Sequence, residues 1–277
     1  IRVPGQPLEA GDYTWVGLWH PGVSLILRGW AGSTSETPWG NVWGADHGDP
    51  CAVAADGERV YIGWGGGEGA KPLLACTPDG KILWKQIRGG IATASLVAAD
   101  GETVFVWNEH GQYAPRSLYR VDARTGAYTV WSRHNSTDLA MGEVFAGEPD
   151  IPDRPDSLAA GNGKVFVGCG GRGVVAVLDA KSGDRLRLLA VPKPGDLELG
   201  PDGALYAVSE AKKILAVNPD TGAVREVGTV PLEGKDWVAA VAVDRDGDVY
   251  CGVRGDRHYV QVLGRDGKPA RTIGVRP

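Results

Sequence analysis

Short apolar runs separated by glycine-containing turns recur along most of the chain, and they decide the predicted fold. Five segments share one plan, in which an apolar run meets a glycine turn and a second apolar run follows. These segments are VAADGERVYIG, VAADGETVFVW, LAAGNGKVFVG, LELGPDGALYAV and VAVDRDGDVYCG, with turn glycines Gly57, Gly101, Gly163, Gly203 and Gly247. Because Asp-Gly and Asn-Gly accept the positive φ of tight turns, each segment predicts a β-hairpin.

A second series of turns follows the first. Each unit continues into a third apolar run, another glycine turn and a fourth run, with turn glycines Gly80, Gly126, Gly183, Gly222 and Gly267. Apart from one longer interval, both series repeat about every 40 to 45 residues, and one four-stranded sheet cannot bury both of its faces alone. The sequence therefore predicts an all-β fold, a β-propeller of four-stranded antiparallel blades. A β-sandwich is the alternative, but it does not account for two turn series in one register.

The repeats predict the extent of the propeller. Residues 51–277 carry the five clear repeats, whereas residues 1–50 hold two strand-like runs and are predicted to be a divergent extra blade or the end of a preceding module. Six or seven blades are expected in the intact protein. The chain has no initiator methionine and ends close behind a strand, so we expect a piece of a longer extracytoplasmic or secreted polypeptide. The longer interval contains an insertion of about 18 residues within residues 133–156, whose prolines and acids predict a surface loop.

The units also resemble known propeller families. LLACTPDGKILW and LYRVDARTGAYTVW are similar to the repeat of PQQ-like, or quinoprotein-like, propellers, in which a tryptophan, here Trp84 or Trp131, closes the fourth strand. GPDGALYAVSEAKKILAVNPDTGA and VDRDGDVYCGVRG look more like NHL or lactonase-type repeats. The resemblance covers residues 51–277 and implies architecture rather than chemistry. Quinoprotein dehydrogenases carry adjacent cysteines, and none are adjacent here, so PQQ binding is not expected and no cofactor is predicted, with calcium as the alternative.

Composition narrows the class of partner. The chain has 277 residues and a net charge of -5, which argues against nucleic acid because a phosphate backbone requires a basic face. No apolar run approaches the roughly 20 residues of a membrane-spanning helix. The cysteines are far apart and three of them lie in apolar runs, which predicts free thiols. These cysteines are Cys51, Cys76, Cys169 and Cys251.

The segment PWGNVWGADHGDP, residues 38–50, is the main candidate for chemistry. It has neither a helical nor a strand period, and it directly precedes the first clear repeat, which places it at one end of the propeller near its axis. Asp46, His47 and Asp49 could bind a metal or act as acid and base, or they could hydrogen-bond to the backbone of their own loop. The segment VDRDGDVY has its glycine at the fourth position rather than the sixth position of an EF-hand loop, so we predict a plain turn there.

Tryptophans concentrate in the first half of the chain. Trp64 and Trp107 occupy matching positions after the second strand of adjacent units, which suits either packing between blades or a stacking surface for sugar rings. The candidate ligand-binding residues are Trp39, Trp43, Asp46, His47, Asp49, Trp64, Glu68, Trp107, Glu109 and His110.

The resulting hypothesis is a non-catalytic binding or scaffold propeller that takes a carbohydrate or a protein partner at one mouth. The alternative is a propeller enzyme, a polysaccharide lyase, glycosidase or lactonase-type hydrolase, which uses Asp46, His47 and Glu109. No G-x-S-x-G, H-E-x-x-H or phosphate-binding glycine loop is present. Propeller enzymes take acids and bases from separate blades, so the sequence leaves catalysis open.

Alanine substitutions in this segment test whether it is a ligand site. If Trp39 or Trp43 is an exposed stacking platform, its replacement by alanine should leave thermal stability close to that of the wild type. If both rings are buried, each substitution should cost about 3 to 5 kcal/mol through the cavity it creates. Thermal melts of Trp39→Ala and Trp43→Ala discriminate between the two, and a large loss in both would remove the site hypothesis.

Overall fold

The structure is a computed structural model that describes residues 13–14, 27–28, 49–65, 73–86, 91, 93–109, 116–148 and 154–274. These residues form an all-β fold built from five four-stranded antiparallel sheets, one two-stranded sheet and one short helix. The predicted β-propeller of four-stranded blades is confirmed. The chain divides into two compact units, Ile1–Thr129 and Val130–Pro277.

The first unit contains a pair of short strands, the four strands of blade 1 and the first three strands of blade 2. The short pair is β1 (Tyr13–Thr14) and β2 (Leu27–Arg28). Blade 1 consists of β3 (Asp49–Ala55), β4 (Val60–Gly65), β5 (Leu73–Cys76) and β6 (Ile82–Gln86). Blade 2 contains β7 (Ala94–Asp100), β8 (Thr103–Asn108) and β9 (Ser117–Asp122), and its sheet order adds β10 (Asp138–Ala140) as the fourth strand.

The second unit contains the short helix α1 (Met141–Val144) and three complete blades. Blade 3 consists of β11 (Ser157–Gly161), β12 (Lys164–Cys169), β13 (Val174–Asp179) and β14 (Arg185–Ala190). Blade 4 consists of β15 (Pro194–Leu199), β16 (Leu205–Ser209), β17 (Lys213–Val217) and β18 (Val224–Thr229). Blade 5 consists of β19 (Trp237–Val243), β20 (Val249–Arg254), β21 (Tyr259–Leu263) and β22 (Pro269–Ile273).

Both predicted turn series occur as expected. The five runs expected to be equivalent form the second strands of their blades, β4, β8, β12, β16 and β20. All ten turn glycines have positive φ, between 56° and 96°. This is the left-handed region that glycine enters without a steric penalty, so the glycine spacing sets where each hairpin reverses.

Aspartate side chains close the turns of both series. In the first series the Tyr61 hydroxyl donates to Asp56 Oδ2 at 2.6 Å, and the Tyr250 hydroxyl donates to Asp244 Oδ2 at 3.1 Å. Asp244 Oδ1 also accepts the backbone N–H of Asp248, so VDRDGDVY forms the predicted plain turn. In the second series Asp122 accepts hydrogen bonds from Thr125, which lower its pKa. These aspartates therefore fix turns that the glycines make possible.

Apolar side chains of neighbouring blades form the cores of each unit. Val97 and Val104 of blade 2 pack with Tyr61 of blade 1, and in the second unit blades 3 and 4, and blades 4 and 5, share similar cores. The three cysteines whose side chains are described are free and buried; these are Cys76, Cys169 and Cys251. The Cys51 side chain lies outside the described residues. Burial raises the pKa of Cys76 and Cys251 to about 12, which makes their thiols unreactive in the folded protein.

The two closing tryptophans pack on the second turn of the following blade. A Cβ added to Gly126 would lie 2.7 Å from the Trp84 ring, and Trp84 Nε1 donates to the Ala123 carbonyl at 2.9 Å. Within the second unit, Trp131 lies in the same way against Gly183, at 3.0 Å from the position that a Cβ would take. Each ring thus occupies the space that a side chain on the turn would need.

Later blades achieve the same contact with smaller groups. Leu189 lies against Gly222, at 3.8 Å from the position of an added Cβ. Between blades 4 and 5 no side chain fills this space, because the backbones at Gly228 and Gly267 approach each other directly. Where the residue on the fourth strand is smaller, the backbones of the two blades lie closer, so the blades remain in contact.

The insertion differs from its prediction. Residues 138–144 form β10 and α1 rather than a surface loop, and Leu139, Val144 and the following Phe145 are buried. The prediction weighed the prolines and acids and overlooked the apolar residues between them. The run ending at Trp131, expected to be the fourth strand, makes an isolated bridge to Ser136 instead.

Substitution of two turn glycines measures the tryptophan contact. Gly126 and Gly163 have similar φ values, 73° and 71°, but only Gly126 faces a ring, since nothing lies within 4 Å of a Cβ on Gly163. Gly163→Ala should cost about 1 to 2 kcal/mol through the left-handed backbone alone. Gly126→Ala should cost about 1 to 3 kcal/mol more, because the methyl group overlaps Trp84.

Urea denaturation checks this expectation. The extra cost of Gly126→Ala should largely disappear in a Trp84→Ala background. Equal losses for Gly126→Ala and Gly163→Ala would show that the ring does not restrict the turn.

Candidate functional site

Each described blade has a turn end and a loop end. The turn end carries the two glycine turns, and the loop end carries the connection from the second strand to the third and the connection to the next blade. In the first unit, Asp49 begins β3, Trp64 lies near the end of β4, Trp107 lies near the end of β8, and Glu109 follows β8. These four candidate residues therefore belong to the loop ends of blades 1 and 2.

The structure describes the side chains of two of the ten candidates. Trp107 is 1% exposed, so its ring lies in the core, as the packing interpretation expects, rather than on an open stacking surface. Glu109 is partly exposed, and its backbone oxygen accepts a hydrogen bond from Arg116 Nε at 3.1 Å. Only the backbone of Asp49 and Trp64 is described. The candidates outside the described residues are Trp39, Trp43, Asp46, His47, Glu68 and His110.

The loop end of blade 5 exposes an aromatic side chain that the sequence analysis did not select. Trp237 is the first residue of β19 and is 44% exposed, and it is the one aromatic among the exposed large hydrophobic residues in the described part of the chain. Its register partner is Arg254, whose guanidinium lies 6.0 Å from the centre of the ring. This distance is at the limit of a cation–π contact.

A buried ion pair joins the two loops beside Trp237. Asp236 has a fully buried side chain, and it accepts hydrogen bonds from Arg257 Nε at 2.8 Å and from the Arg257 backbone N–H at 3.0 Å. Burial alone would raise the pKa of Asp236, but its hydrogen bonds from Arg257 hold that pKa below the ordinary value. Arg257 also pairs with Glu233 at 2.9 Å. The ion pair therefore connects the loop before β19 to the turn after β20.

Glycine allows these two loops to approach closely. Gly255 has a φ of 137°, and a Cβ there would lie 2.5 Å from the Lys235 carbonyl oxygen. The Lys235 N–H donates to Asp256 Oδ2 at 3.0 Å, which adds a second link. Because backbone and side-chain bonds hold both loops, Trp237 is presented on a preformed support.

Two lysines lie on the segments next to Trp237, in addition to Arg254 over its ring. The Val238 N–H donates to the Ala211 carbonyl at 2.8 Å, so the turn of blade 4 that carries Lys212 lies beside β19. Lys212, Lys235 and Arg254 are exposed and form no ion pair with the described residues. We refer to Lys212, Lys235, Trp237 and Arg254 as the Trp237 surface.

A pair of acids interrupts the apolar first strand of blade 4. Asp196 Oδ2 accepts the Val241 N–H of β19 at 2.9 Å. Both side chains keep some accessible surface but are surrounded by protein, and this burial raises the pKa of Asp196 to about 6. Burial, together with the charge of Asp196, raises the pKa of Glu198 well above its ordinary value.

Strand register shows how unusual these acids are. Other first strands carry uncharged residues at the two corresponding positions: Ala52 and Ala54, Leu96 and Ala98, Ser157 and Ala159, and Ala240 and Ala242. The signal is visible in the sequence, where LELG replaces VAAD in the repeat plan. The turns of these segments match, so the difference lies only in the strand residues.

Comparison with known families identifies the chain. The family model PQQ_2, described as outer membrane protein assembly factor BamB, matches residues 30–199, which is more than half of the chain. The chain belongs to this family. The expected resemblance to PQQ-like propellers is therefore confirmed. A search of curated proteins found no match.

Two solved structures with TM-scores above 0.5 are similar in fold to this PQQ_2 family member. Catalytically inactive H270A virginiamycin B lyase from Staphylococcus aureus, with quinupristin, aligns over 84% of this chain and 72% of its own at 15% identity, with a TM-score of 0.57. A nidogen/laminin complex aligns over 80% and 78% at 14% identity, with a TM-score of 0.55. The chain spans 48% of Kuenenia stuttgartiensis hydrazine synthase, at 16% identity over 65% of this chain and a TM-score of 0.46. At these identities the likeness concerns the fold alone.

The described residues do not form a recognisable cofactor site. No group of three or more His, Cys, Asp or Glu side chains converges among them. Their three described cysteines lie in separate blades, so the adjacent-cysteine arrangement of quinoprotein dehydrogenases is not formed there. Within the same residues, no helix combines the length and apolar character required to cross a membrane.

The acid pair predicts a pH dependence of stability. The pKa of Asp196 is raised in the folded protein, so the stability associated with this group is full at pH values below its ordinary value of 3.8 and is lost as pH rises through about 6. Asp196→Asn keeps an acceptor for the Val241 N–H but cannot ionise. The difference in free energy of unfolding between this variant and the wild type should be about 1 to 3 kcal/mol more favourable to the variant at pH 8 than at pH 4.

Urea denaturation at both pH values measures the difference. The exposed Asp266→Asn serves as the control and should leave the wild-type pH dependence in place. If Asp196→Asn changes stability equally at pH 4 and pH 8, Asp196 does not carry the predicted burial cost.

Proposed function

We propose that the protein is a non-catalytic propeller module that binds a protein partner at the loop end of its blades, within a larger extracytoplasmic protein. The description of its family, outer membrane protein assembly factor, supports a location in the cell envelope and a role in assembly. The nidogen/laminin structure supports the same proposal, because it is a complex between proteins.

The Trp237 surface is the observation that carries this proposal. Tryptophan and arginine are the side chains most enriched among residues that dominate binding energy at protein interfaces. Trp237 and Arg254 stand on loops joined by the Asp236–Arg257 ion pair, so a partner would not have to order them. Preformed surfaces bind more tightly because less conformational entropy is lost on association.

Carbohydrate is the alternative ligand, and Trp39 and Trp43 would be its stacking rings. The enzyme alternative depends on Asp46, His47 and Glu109, of which only Glu109 is described. Since no observation on the described residues favours either one, protein binding is the function that we propose.

Site-specific crosslinking in the producing organism tests protein binding. A photoreactive phenylalanine derivative at position 237 should yield a discrete crosslinked protein species, because a partner that covers the exposed ring would lie within reach. The matched control is position 186, where Leu186 is a 51% exposed hydrophobic residue on the fourth strand of blade 3.

The expected result is a crosslink from position 237 and none from position 186, detected as a mobility shift on denaturing gels. No crosslinked protein at position 237, with normal accumulation of the folded variant, would contradict the proposed function.

A further inference from the structure

The charges of the Trp237 surface narrow the chemistry of the partner. Three exposed cations, Lys212, Lys235 and Arg254, lie beside one exposed aromatic ring on a chain whose net charge is -5. Resting on the proposed function, we infer that this surface binds an acidic segment of a partner protein. Carboxylates of the segment pair with the three cations, and an apolar or aromatic side chain between them covers Trp237.

Acidic side chains near the surface already have partners. Asp236 and Glu233 pair with Arg257, at 2.8 and 2.9 Å. Glu210 pairs with Lys213 at 2.9 Å, and the nearby cations Lys193 and Lys212 contribute to the lowered pKa of Glu210. Asp256 Oδ2 accepts the Lys235 N–H. Because the ion pairs of these acids are made with Lys213 and Arg257, no ion pair among the described residues occupies Lys212, Lys235 or Arg254, and their charges can pair with a ligand.

Arg254 has a geometry suited to a carboxylate. Its guanidinium stands over the Trp237 ring at 6.0 Å and makes no hydrogen bond to the described residues. Contact with the ring restricts the side chain, so less rotational freedom is lost when a carboxylate binds two of its N–H groups. Trp237 and Arg254 are also register partners on β19 and β20, which fixes their spacing through the backbone.

The ion pair beneath the surface keeps these groups in place. Asp236 directly precedes Trp237, and its buried carboxylate forms an ion pair with Arg257. Arg257 lies three residues after Arg254 in the sequence. The Arg257 guanidinium also lies 5.3 Å from the Tyr259 ring. Asp236 thus fixes the position of the loops that carry Trp237 and Arg254. The exposed cations can then select a partner by its charge.

Fluorescence anisotropy with defined peptides tests the inference. The probe is a fluorescein-labelled ten-residue peptide in which Glu alternates with Phe, and its counterpart carries Gln in place of each Glu. The Glu peptide should bind at least 10-fold more tightly than the Gln peptide at low salt, and added salt should reduce that difference because exposed charges are screened.

Variants connect binding to the surface. The double variant Lys235→Glu/Arg254→Glu should weaken binding of the Glu peptide at least 10-fold, and Trp237→Ala should weaken it about as much. The control is Lys268→Glu, at an 81% exposed side chain on the turn end of blade 5, which should bind as the wild type does. Thermal melts of each variant verify that the fold is intact.

Several results would overturn the inference. These are equal binding of the Glu and Gln peptides, unchanged binding by the double variant, or vesicles of phosphatidylglycerol that bind in place of the peptide and are released by the same substitutions. The last result would identify an anionic membrane as the occupant.

Crosslinking in the double-variant background separates the inference from the proposed function. If the position 237 crosslink is lost when the charges of Lys235 and Arg254 are reversed, the partner segment is acidic. If the crosslink persists in that background, the protein binds a partner protein but not through an acidic segment.

Discussion

Contact between the fourth strand of one blade and the second turn of the next is the interaction on which the rest of the structure depends. Trp84 of β6 lies against Gly126, and Leu139 of β10 lies with Trp131 against Gly183, so these side chains fill the space that a turn side chain would occupy. The four-stranded sheets carry apolar side chains that one sheet alone would leave exposed, so they are stable only when stacked at close range. Where the ring is absent, at Gly228 and Gly267, the backbones themselves make the contact.

Packing of the second turn against the preceding blade restricts the residues at the turn end. It does not restrict the residues at the loop end, which therefore differ between blades. Every second turn has a glycine at positive φ, and at Gly126, Gly183 and Gly267 close contacts also exclude a side chain. Loop-end segments are held by local bonds instead, as in the Asp236–Arg257 ion pair. Such a buried pair adds little net stability, because desolvation offsets its attraction, but it does orient the loops that carry Trp237. A binding surface can therefore change without disturbing the packing between blades.

Unlike the turn glycines, Asp196 and Glu198 are side chains that do not suit their surroundings. Both stand where the other first strands carry uncharged residues, and burial raises the pKa of each. The Val241 N–H offsets part of this cost for Asp196 by donating a hydrogen bond. Nothing in the described contacts explains the carboxyl group of Glu198. Local rules are broken in proteins chiefly at functional or strained positions, so these acids mark blade 4 as different from its neighbours.

The sequence by itself determined the blades, because turn glycines and short apolar runs act over a few residues and repeat in two registers. It could not decide which aromatic rings are open, since Trp107 and Trp237 differ only in what other strands and loops place around them. It also could not reveal that Asp236 holds Arg257, a pair separated by 21 positions and joined only when β19 and β20 align. Burial and charge pairing depend on contacts between distant residues, so only the tertiary structure identified the Trp237 surface.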